Sequence, residues 1–332
     1  MFHNSFLRIT LACAGLACVA ATTPAHAQSQ SRAPLPGVLT ITVGFAPGGA
    51  ADTTARIYAE ALRSQGFEKV LVDNRPGASG RIALNAVKAA APDGLTMYLG
   101  GSPLFTIFPL TYKNLNYDAD KDLRPVALLV EIPTAVVVGA AAPYDSMADY
   151  VKWARQQGKP TTLGVASLGS SGHLGALALN KSQGLRIEPV AYRGAAPMLV
   201  DVASGQVSAG WDAVASMMPL YQSKKIKFLG VSGAKRLEAL PDVPTIDEQG
   251  FPEYRAATSW YGIFVPAKTP DDVVATLEAA FLKASERPEL RQRLLDAGLV
   301  VAPAPAAETA RRIVQERKQW EPTVAASGIE ME

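Results

Sequence analysis

The sequence predicts an α/β protein with parallel strands, and three observations lead to that class. Short apolar runs alternate with longer segments of helical periodicity. One type of junction recurs, in which a strand ends in glycine, alanine or serine and a helix follows. Removal of a 27-residue targeting segment from the 332 residues leaves 305, a length that favours two lobes over one.

Residues 1–27 have the composition of a secretory signal peptide. Arg8 precedes an apolar stretch, and Ala25-His26-Ala27 fits the small-x-small cleavage pattern, so we expect export and cleavage after Ala27. The apolar stretch is shorter than the ~20 residues that a membrane span needs. Lipidation at Cys13 or Cys18 is the alternative, but neither cysteine has the usual leucine three residues before it.

The residue inventory after cleavage excludes several kinds of chemistry. Both cysteines leave with the signal, so the mature chain has no disulfide and no thiolate nucleophile. His173 is then the only histidine, which excludes a multi-histidine metal site. The 31 basic and 30 acidic residues that remain leave a net charge of +1 and no basic footprint for nucleic acid. A Ca²⁺ or Mg²⁺ site built from carboxylates alone remains open, but no EF-hand-like spacing occurs. We therefore expect no cofactor, no metal site and no nucleic-acid partner.

The first lobe is predicted to begin with a strand at 38–45. Asp52 is predicted to cap the helix that follows, which covers 53–65. The elements that come next are a strand at 69–74, a turn at 74–80, a helix at 81–91, a strand at 95–100 and a loop at 101–105.

A strand pair at 123–144 leads into the second lobe. That lobe is predicted to contain a helix at 146–158, strands at 161–166 and 186–192, a helix after Pro197, and strands at 206–213 and 226–233. The chain then returns to the first lobe with a strand at 259–267, a helix at 271–286 that Thr269 caps, a loop at 301–308 and two terminal helices. The predicted lobes are 28–130 with 234–332, and 131–233.

Four junctions carry the functional prediction: GFAPGGAAD, GGSPLF, ASLGSSGH and YRGAAP. In parallel α/β sheets, the carboxyl ends of the strands border the ligand crevice. A helix N-terminus has unpaired N–H groups and attracts an anion without a basic side chain. Small residues such as Gly48, Gly49, Ala50 and Ala51 let a carboxylate approach that backbone. A plain strand-to-helix turn, in which the glycines serve only geometry, remains the alternative.

An exported serine hydrolase is the enzymatic alternative, because Ser170, Ser171 and His173 lie close together in the sequence. The G-x-S-x-G motif is absent, since Val165 replaces the glycine needed around Ser167 and His173 replaces the one needed around Ser171. Serine hydroxyls that cap a helix explain the same segment. We therefore interpret His173 as a structural or ligand-facing hydrogen-bonding residue.

Several side chains near the junctions have two possible roles. Arg193 can clamp a carboxylate through two hydrogen bonds or point into solvent. Asp212 can accept a hydrogen bond from an amino, hydroxyl or water group, whereas Trp211 is typical of a core or an interface. Arg56 is predicted to pair with a neighbouring acid, and Arg75 to belong to a turn.

Taken together, the motifs resemble those of a known family. PGGAAD, VDNRPGASG with APDG downstream, GSSGH, AYRGAAPMLVDVASGQV, AKRLEALPDVPTIDEQG and SWYGIFVPAKTP occur in this order between Val38 and the C-terminus. The sequence resembles the Bug family, the extracytoplasmic solute receptors of tripartite tricarboxylate transporters. The combination is specific, although no single motif is.

The resemblance implies a type II periplasmic binding protein, with two α/β lobes that close around an organic acid. It also implies that one strand–turn–helix loop per lobe holds the carboxylate through main-chain donors and ordered waters. With the candidates above, the predicted ligand-binding residues are Phe45, Pro47, Gly48, Gly49, Ala51, Asp52, Ser102, Ser167, Gly169, Ser170, Ser171, His173, Arg193, Gly194, Ala195, Ala196 and Asp212.

The chain departs from the family pattern at two positions near the expected pocket. Many relatives have an Asp-Asn step where this chain has Trp211-Asp212-Ala213, and many have threonine instead of Ala51. The ligand is therefore less defined than the fold. The resemblance implies a monomeric periplasmic receptor that delivers its ligand to permease subunits of a tripartite tricarboxylate transporter. A receptor that presents its ligand to a membrane sensor kinase is the alternative.

Overall fold

The computed structural model of the chain describes residues 35–166, 169–192, 194–251 and 258–331. Three sequence-based predictions lie outside the described residues: the signal peptide, Ser167 and Arg193.

Eleven strands and eleven α-helices are found in the described parts of the chain. The strands are β1 (Val38–Val43), β2 (Lys69–Asn74), β3 (Thr96–Gly101), β4 (Leu123–Ile132), β5 (Thr134–Gly139), β6 (Thr161–Val165), β7 (Ile187–Ala191), β8 (Ala209–Ala213), β9 (Ile226–Val231), β10 (Ser259–Pro266) and β11 (Val300–Pro305). The helices are α1 (Ala50–Arg63), α2 (Arg81–Lys88), α3 (Pro103–Thr106), α4 (Phe108–Thr111), α5 (Met147–Gln156), α6 (Ser171–Gln183), α7 (Ala195–Ser204), α8 (Val214–Gln222), α9 (Asp271–Ser285), α10 (Pro288–Asp296) and α11 (Ala306–Ser327).

Two sheets organise these elements. The first has six strands in the order β11-β4-β10-β3-β1-β2, and the second has five in the order β7-β6-β8-β5-β9. In the first sheet β1, β2 and β3 are parallel, and β10 runs antiparallel to β3 and β4. In the second sheet β6, β7 and β8 are parallel, and β5 runs antiparallel to β8 and β9. Without its edge strand β11, the first sheet therefore has the same arrangement of strands as the second. The order β2-β1-β3-β10-β4 matches β7-β6-β8-β5-β9 strand for strand.

The chain crosses between the sheets twice. Pro133 alone separates β4 from β5, and residues 232–258 connect β9 to β10. The strand that enters directly from each crossing, β5 in the second sheet and β10 in the first, runs antiparallel to both of its neighbours. The α/β class, predicted from the alternation of apolar runs and helical segments, is confirmed, and the two sheets agree with the two lobes that the chain length predicted.

Hydroxyl groups are hydrogen-bonded to one another where the crossings meet. The Thr134 hydroxyl lies 3.1 Å from that of Ser232, which lies 3.0 Å from that of Thr258. The indole N–H of Trp211 donates to the Thr134 hydroxyl at 3.0 Å. All four side chains are buried, so this network ties both crossings to β8.

Helices cover both faces of each sheet, so each sheet lies between two apolar layers. One layer of the first sheet also receives a side chain from the second lobe: Leu174 of α6 packs in the same buried cluster as Phe108, Trp320 and Val324. Helices α6 and α11 therefore share an apolar contact between the lobes.

Four sequence-based predictions about local structure are wrong. Gly49 is the N-cap of α1 and Asp52 lies in the first turn, because the backbone is still extended at Gly49 (φ −81°, ψ 172°). Pro270, not Thr269, is the N-cap of α9. Residues 301–308 are not a loop, since β11 pairs with β4 and α11 begins at Ala306. The loop at 101–105 contains the start of α3.

Within the ranges that the structure describes, every helix is too short or too polar to serve as a transmembrane segment.

Candidate functional site

The first predicted loop connects β1 to α1. Gly48 has a φ of +86°, which a residue with a side chain adopts only with strain, and Gly49 follows in an extended conformation as the N-cap. A Cβ added at Gly49 would meet nothing closer than the Ala46 carbonyl at 3.8 Å. The start of α1 is therefore uncovered by protein atoms at Gly49, and the N–H groups of its first turn have no acceptor inside the helix.

Asp52 organises this loop. Its Oδ2 accepts hydrogen bonds from the Gly48 N–H and from Nε of Arg56, both at 2.9 Å, and the Asp52 side chain is only 4% exposed. Burial raises the pKa of Asp52, but hydrogen bonds from Arg56, the Gly48 N–H and Asn74 hold the pKa below its usual value. Asp52 is therefore ionised. It holds the loop through the Gly48 N–H and neutralises the positive charge of the nearby Arg56. The predicted pairing of Arg56 with an acid is confirmed.

The other first-loop candidates lie in different environments. Phe45 is 38% exposed at the end of β1, and its carbonyl accepts a hydrogen bond from the Asn74 side chain. Pro47 is exposed. The methyl group of Ala51 packs in the core of the first lobe, so this residue can face a ligand only through its backbone.

The second predicted loop connects β6 to α6. Ser170 is the N-cap, and its hydroxyl accepts a hydrogen bond from the His173 N–H at 3.2 Å. The Gly169 N–H donates to Nδ1 of His173 at 3.0 Å. Burial lowers the pKa of His173, so the imidazole is neutral with its proton on Nε2. Because Nδ1 is an acceptor inside the loop, His173 holds the loop in shape and presents a single donor.

Glycines set α6 directly against β8. A Cβ at Gly172 would lie 2.6 Å from the Trp211 carbonyl oxygen, and one at Gly175 would lie 2.6 Å from the Trp211 ring. Trp211 is fully buried, as its type indicated, and Ser171 is also buried. The position of the second loop therefore depends on the close packing of α6 on β8.

A third loop precedes α7. Gly194 is the N-cap with a φ of +106°, and its N–H donates to the Ala166 carbonyl at 3.1 Å. Ala195 and Ala196 form the first turn of α7 and are partly or fully exposed. The β6–α6 and β7–α7 loops are thus joined at the same edge of the second sheet.

Two pairs of side chains lie at the edges of the sheets where the loops emerge. The Ser102 hydroxyl, next to β3, lies 2.9 Å from the Ser259 hydroxyl of β10. Asp212, at the end of β8, is half-buried and influences the pKa of Tyr261, which is in the first sheet. Sequence reasoning identified Ser102 and Asp212 but missed Ser259 and Tyr261, although the SWYGIF motif contains both.

A further loop lies against the first one. A Cβ at Gly44 would come 2.5 Å from the Cα of Gly80. The four residues 77–80 all have positive φ, and they include Ala78 at 46° and Ser79 at 54°. Sequence reasoning identified this segment as a turn but not its contact with the first loop.

No cluster of three or more metal-ligating side chains occurs in the part of the chain that the structure describes. The polar side chains at the loops are few, and Asp52, Ser170 and His173 each make a hydrogen bond within their own loop. Backbone N–H groups at the starts of α1, α6 and α7 are the common feature, and they suit an anion with carboxylate geometry.

Comparison with known proteins gives the family. Residues 54–329 match the family described as TctC, "Tripartite tricarboxylate transporter family receptor". A protein from Pseudomonas sp. strain P51, "UPF0065 protein in tcbD-tcbE intergenic region", is 32% identical over 309 residues, 93% of this chain and 91% of the relative.

Solved structures have the same fold. "R. palustris Rpa4515 with adipate" is 32% identical with a TM-score of 0.79, and covers 88% of this chain and 98% of its own. "MatC (Rpa3494) from Rhodopseudomonas palustris with bound malate" is 29% identical with a TM-score of 0.73, and covers 86% and 98%. These similarities confirm the predicted periplasmic binding protein fold and the family resemblance.

Proposed function

We infer the function from the family, since this chain belongs to the tripartite tricarboxylate transporter receptors. We propose that it captures a small organic carboxylate in the periplasm and delivers it to membrane permease subunits. The two lobes are assigned to residues 28–130 with 234–332 and to residues 131–233. The crossing at Pro133 and the return through residues 232–258 support this division.

One observation carries the proposal. Helices α1, α6 and α7 each begin after a parallel strand of β1, β6 or β7, at a loop of small residues. Their first-turn N–H groups act as hydrogen-bond donors for an anion, and the helix dipole adds to the attraction. Similar structures hold adipate and malate, which are both dicarboxylates.

A thermal-shift screen over mono- and dicarboxylates tests the binding function. At a ligand concentration about a thousandfold above Kd, the expected stabilisation is roughly 4 kcal/mol. Binding through backbone dipoles in a closed cleft predicts an affinity that varies weakly with ionic strength. The proposal is refuted if a broad panel leaves the unfolding temperature of the folded, ligand-free protein unchanged.

A substitution at Gly49 separates binding from folding. Gly49→Val places its side chain at the mouth of the first loop, where the protein has room for it, so stability changes little and carboxylate binding falls sharply. Gly184→Asn, at the far end of α6, is the control for binding: an added Cβ meets nothing within 4 Å there, and asparagine tolerates the left-handed φ of +61° better than valine does. Equal affinities of the two variants would contradict a carboxylate site at the start of α1.

The proposed partners and cellular route follow from the family. Cleavage after Ala27 would release the mature receptor, and mass measurement of the periplasmic protein tests that position. Co-purification with permease subunits supports delivery to a transporter, whereas co-purification with the outer domain of a sensor kinase would support the signalling alternative. The receptor is proposed to have no catalytic residue, since the Ser170 hydroxyl accepts the His173 N–H as a helix cap.

A further inference from the structure

The C-terminal tail, residues 328–331 after α11, is fastened to the first lobe. Met331 pairs with the chain that follows α4: its N–H donates to the Thr111 carbonyl at 2.7 Å, and its carbonyl accepts the Lys113 N–H at 3.0 Å. The Lys113 ammonium also lies 2.5 Å from the Glu330 carboxylate. Two backbone hydrogen bonds and an ion pair therefore fix the position of Met331 on the first lobe.

The side chain of Met331 reaches the second lobe. A Cβ added at Gly169 would lie 3.3 Å from Sδ of Met331 and 3.9 Å from the ring of Phe108 in α4. Gly169 belongs to the loop that connects β6 to α6, and it is buried although it lies in a loop. Side chains of the first lobe therefore cover a residue of the second candidate ligand loop.

Helix α6, which follows this loop, rests on the same part of the first lobe. Leu174, in the first turn of α6, packs in one buried cluster with Phe108 and with Trp320 of α11. Leu177 of α6 and Ile329 of the tail are partly buried against that cluster. The C-terminal segment, from α11 to the tail, therefore supports both the second loop and the start of the helix that it leads into.

Gly169 is also tied to the geometry of the loop. Its N–H donates to Nδ1 of His173 at 3.0 Å, and the His173 N–H donates to the Ser170 hydroxyl at 3.2 Å. A displacement of Gly169 would break the first of these hydrogen bonds and turn the backbone that enters α6. The contact of Met331 with Gly169 therefore bears on the N–H groups that are proposed to bind the anion.

We propose that Met331 is a positioning residue for carboxylate binding: from the first lobe, its thioether side chain holds the second ligand loop at Gly169 in the conformation that binds the anion. A carboxylate held by loops of both lobes needs the second loop in a fixed place relative to the first, and this contact supplies that constraint. Methionine suits the contact because a flexible, apolar side chain fits an irregular backbone surface. This proposal rests on the proposed carboxylate-binding function.

The test is the affinity of Met331→Ala, with adipate or malate as the probe, whichever gives the larger thermal shift. We expect its Kd to be at least about threefold that of the wild type, because binding must then order a loop that the wild type already holds in place. Met331→Leu keeps an apolar side chain of similar size and should restore Kd to within about twofold of the wild type.

Met218→Ala is the matched control. Met218 and Met331 are the two methionines that are partly exposed in the described ranges, but Met218 lies on α8 and packs in a different cluster. The control should keep Kd within about twofold of the wild type. Urea unfolding of every variant shows that it folds. A merely structural role of Met331 would lower the free energy of unfolding and leave Kd unchanged.

His173 gives a direct readout of the loop. It is the only histidine after residue 27, so a protein without those 27 residues and without a histidine tag gives the nitrogen signals of one imidazole. In the wild type we expect the Nε2–H tautomer with Nδ1 as an acceptor. In Met331→Ala the Nδ1 signal should move toward that of a free imidazole, because the Gly169 N–H is no longer held against it. Met218→Ala should leave the signal in place.

Three results overturn the proposal. They are a Kd of Met331→Ala equal to that of the wild type, a loss of affinity that Met331→Leu does not restore, and an equal loss in Met218→Ala. An Nδ1 signal that is identical in Met331→Ala and the wild type also contradicts it. Each of these refutes this inference alone while the wild type binds, whereas failure of every carboxylate to bind the wild type refutes the proposed function.

Discussion

Replacing Asp52 with asparagine tests the claim that a buried carboxylate fixes the first loop. Asp52 accepts charged or backbone hydrogen bonds from Arg56 and Gly48, both at 2.9 Å, with 4% of its side chain exposed. Hydrogen bonds to charged groups contribute ~1.5–3 kcal/mol each. Both bonds go to Oδ2, so the amide oxygen of asparagine can accept both, but without the charge that strengthens them. The amide NH2 group then takes the place of the buried Oδ1, for which the structure shows no hydrogen-bond partner. We expect Asp52→Asn to lower the free energy of unfolding by about 2–3 kcal/mol at pH 7.

Asp73→Asn is the matched control in the same lobe. Asp73 also accepts from an arginine Nε, that of Arg75 at 2.7 Å, but the two side chains are 37% and 52% exposed. Surface pairs of this kind contribute ~0–1 kcal/mol, so the control should differ little from the wild type. Urea unfolding followed by tryptophan fluorescence gives both values, provided that the slope m is the same in all three proteins.

The pH dependence gives the same test a second readout. Hydrogen bonds hold the native pKa of Asp52 below its usual value, so its charge stabilises the fold at a pH above the pKa of the unfolded chain. This stabilisation is lost as the pH falls through the native pKa. The difference between wild type and Asp52→Asn should therefore be constant from neutral pH down to about pH 5 and shrink below pH 4. Equal stability of the Asp52 and Asp73 variants at pH 7 would refute the reasoning.

Three further substitutions test other parts of the structure. Gly172→Ala pushes α6 away from the Trp211 carbonyl, which should lower the free energy of unfolding in urea by about 1–3 kcal/mol and weaken carboxylate binding. Unchanged stability and affinity would contradict the close packing. Glu316→Gln removes a carboxylate that lies 2.7 Å from Arg312, but Arg312 is 29% exposed and keeps Glu131 as a second partner at 2.7 Å. The cost should therefore be about 1 kcal/mol in urea unfolding, and a cost above about 3 kcal/mol would show that Glu131 does not compensate. Ser79→Gly relieves a φ of 54° and should stabilise the protein by up to about 1 kcal/mol; destabilisation would show that the Ser79 side chain matters more than its backbone.

The sequence was sufficient to predict the junctions because they depend on local chemistry. Small residues after an apolar run predict a strand end, and a capping residue predicts a helix start; Ser170 is such a cap. The periodicity of apolar residues also predicted the α/β class, and the chain length predicted two lobes. The ligand-binding role of the predicted loop residues stays a prediction that the variants above test.

The errors arise where distant parts of the chain meet. Strand β11 has the sequence VVAPAP, which is unfavourable for a strand, and it forms because it can pair with the edge of β4. Tyr261 enters the first sheet only after the second crossing, so no local pattern predicts that the Asp212 carboxylate raises the pKa of Tyr261. Asp52 is a residue type that often caps helices, but the N-cap of α1 is Gly49. Asp52 lies in the first turn instead, where its carboxylate accepts a hydrogen bond from the Gly48 N–H of the loop.

The place of β10 in the first sheet has a consequence for the order of folding. This strand lies between β3 and β4, although more than a hundred residues of chain separate it from either. The second sheet, by contrast, is formed by one continuous stretch from β5 to β9. Loop-closure entropy opposes the long-range pairing, so we expect the second lobe to acquire its structure first and the first lobe to remain open until its last-synthesised strands insert.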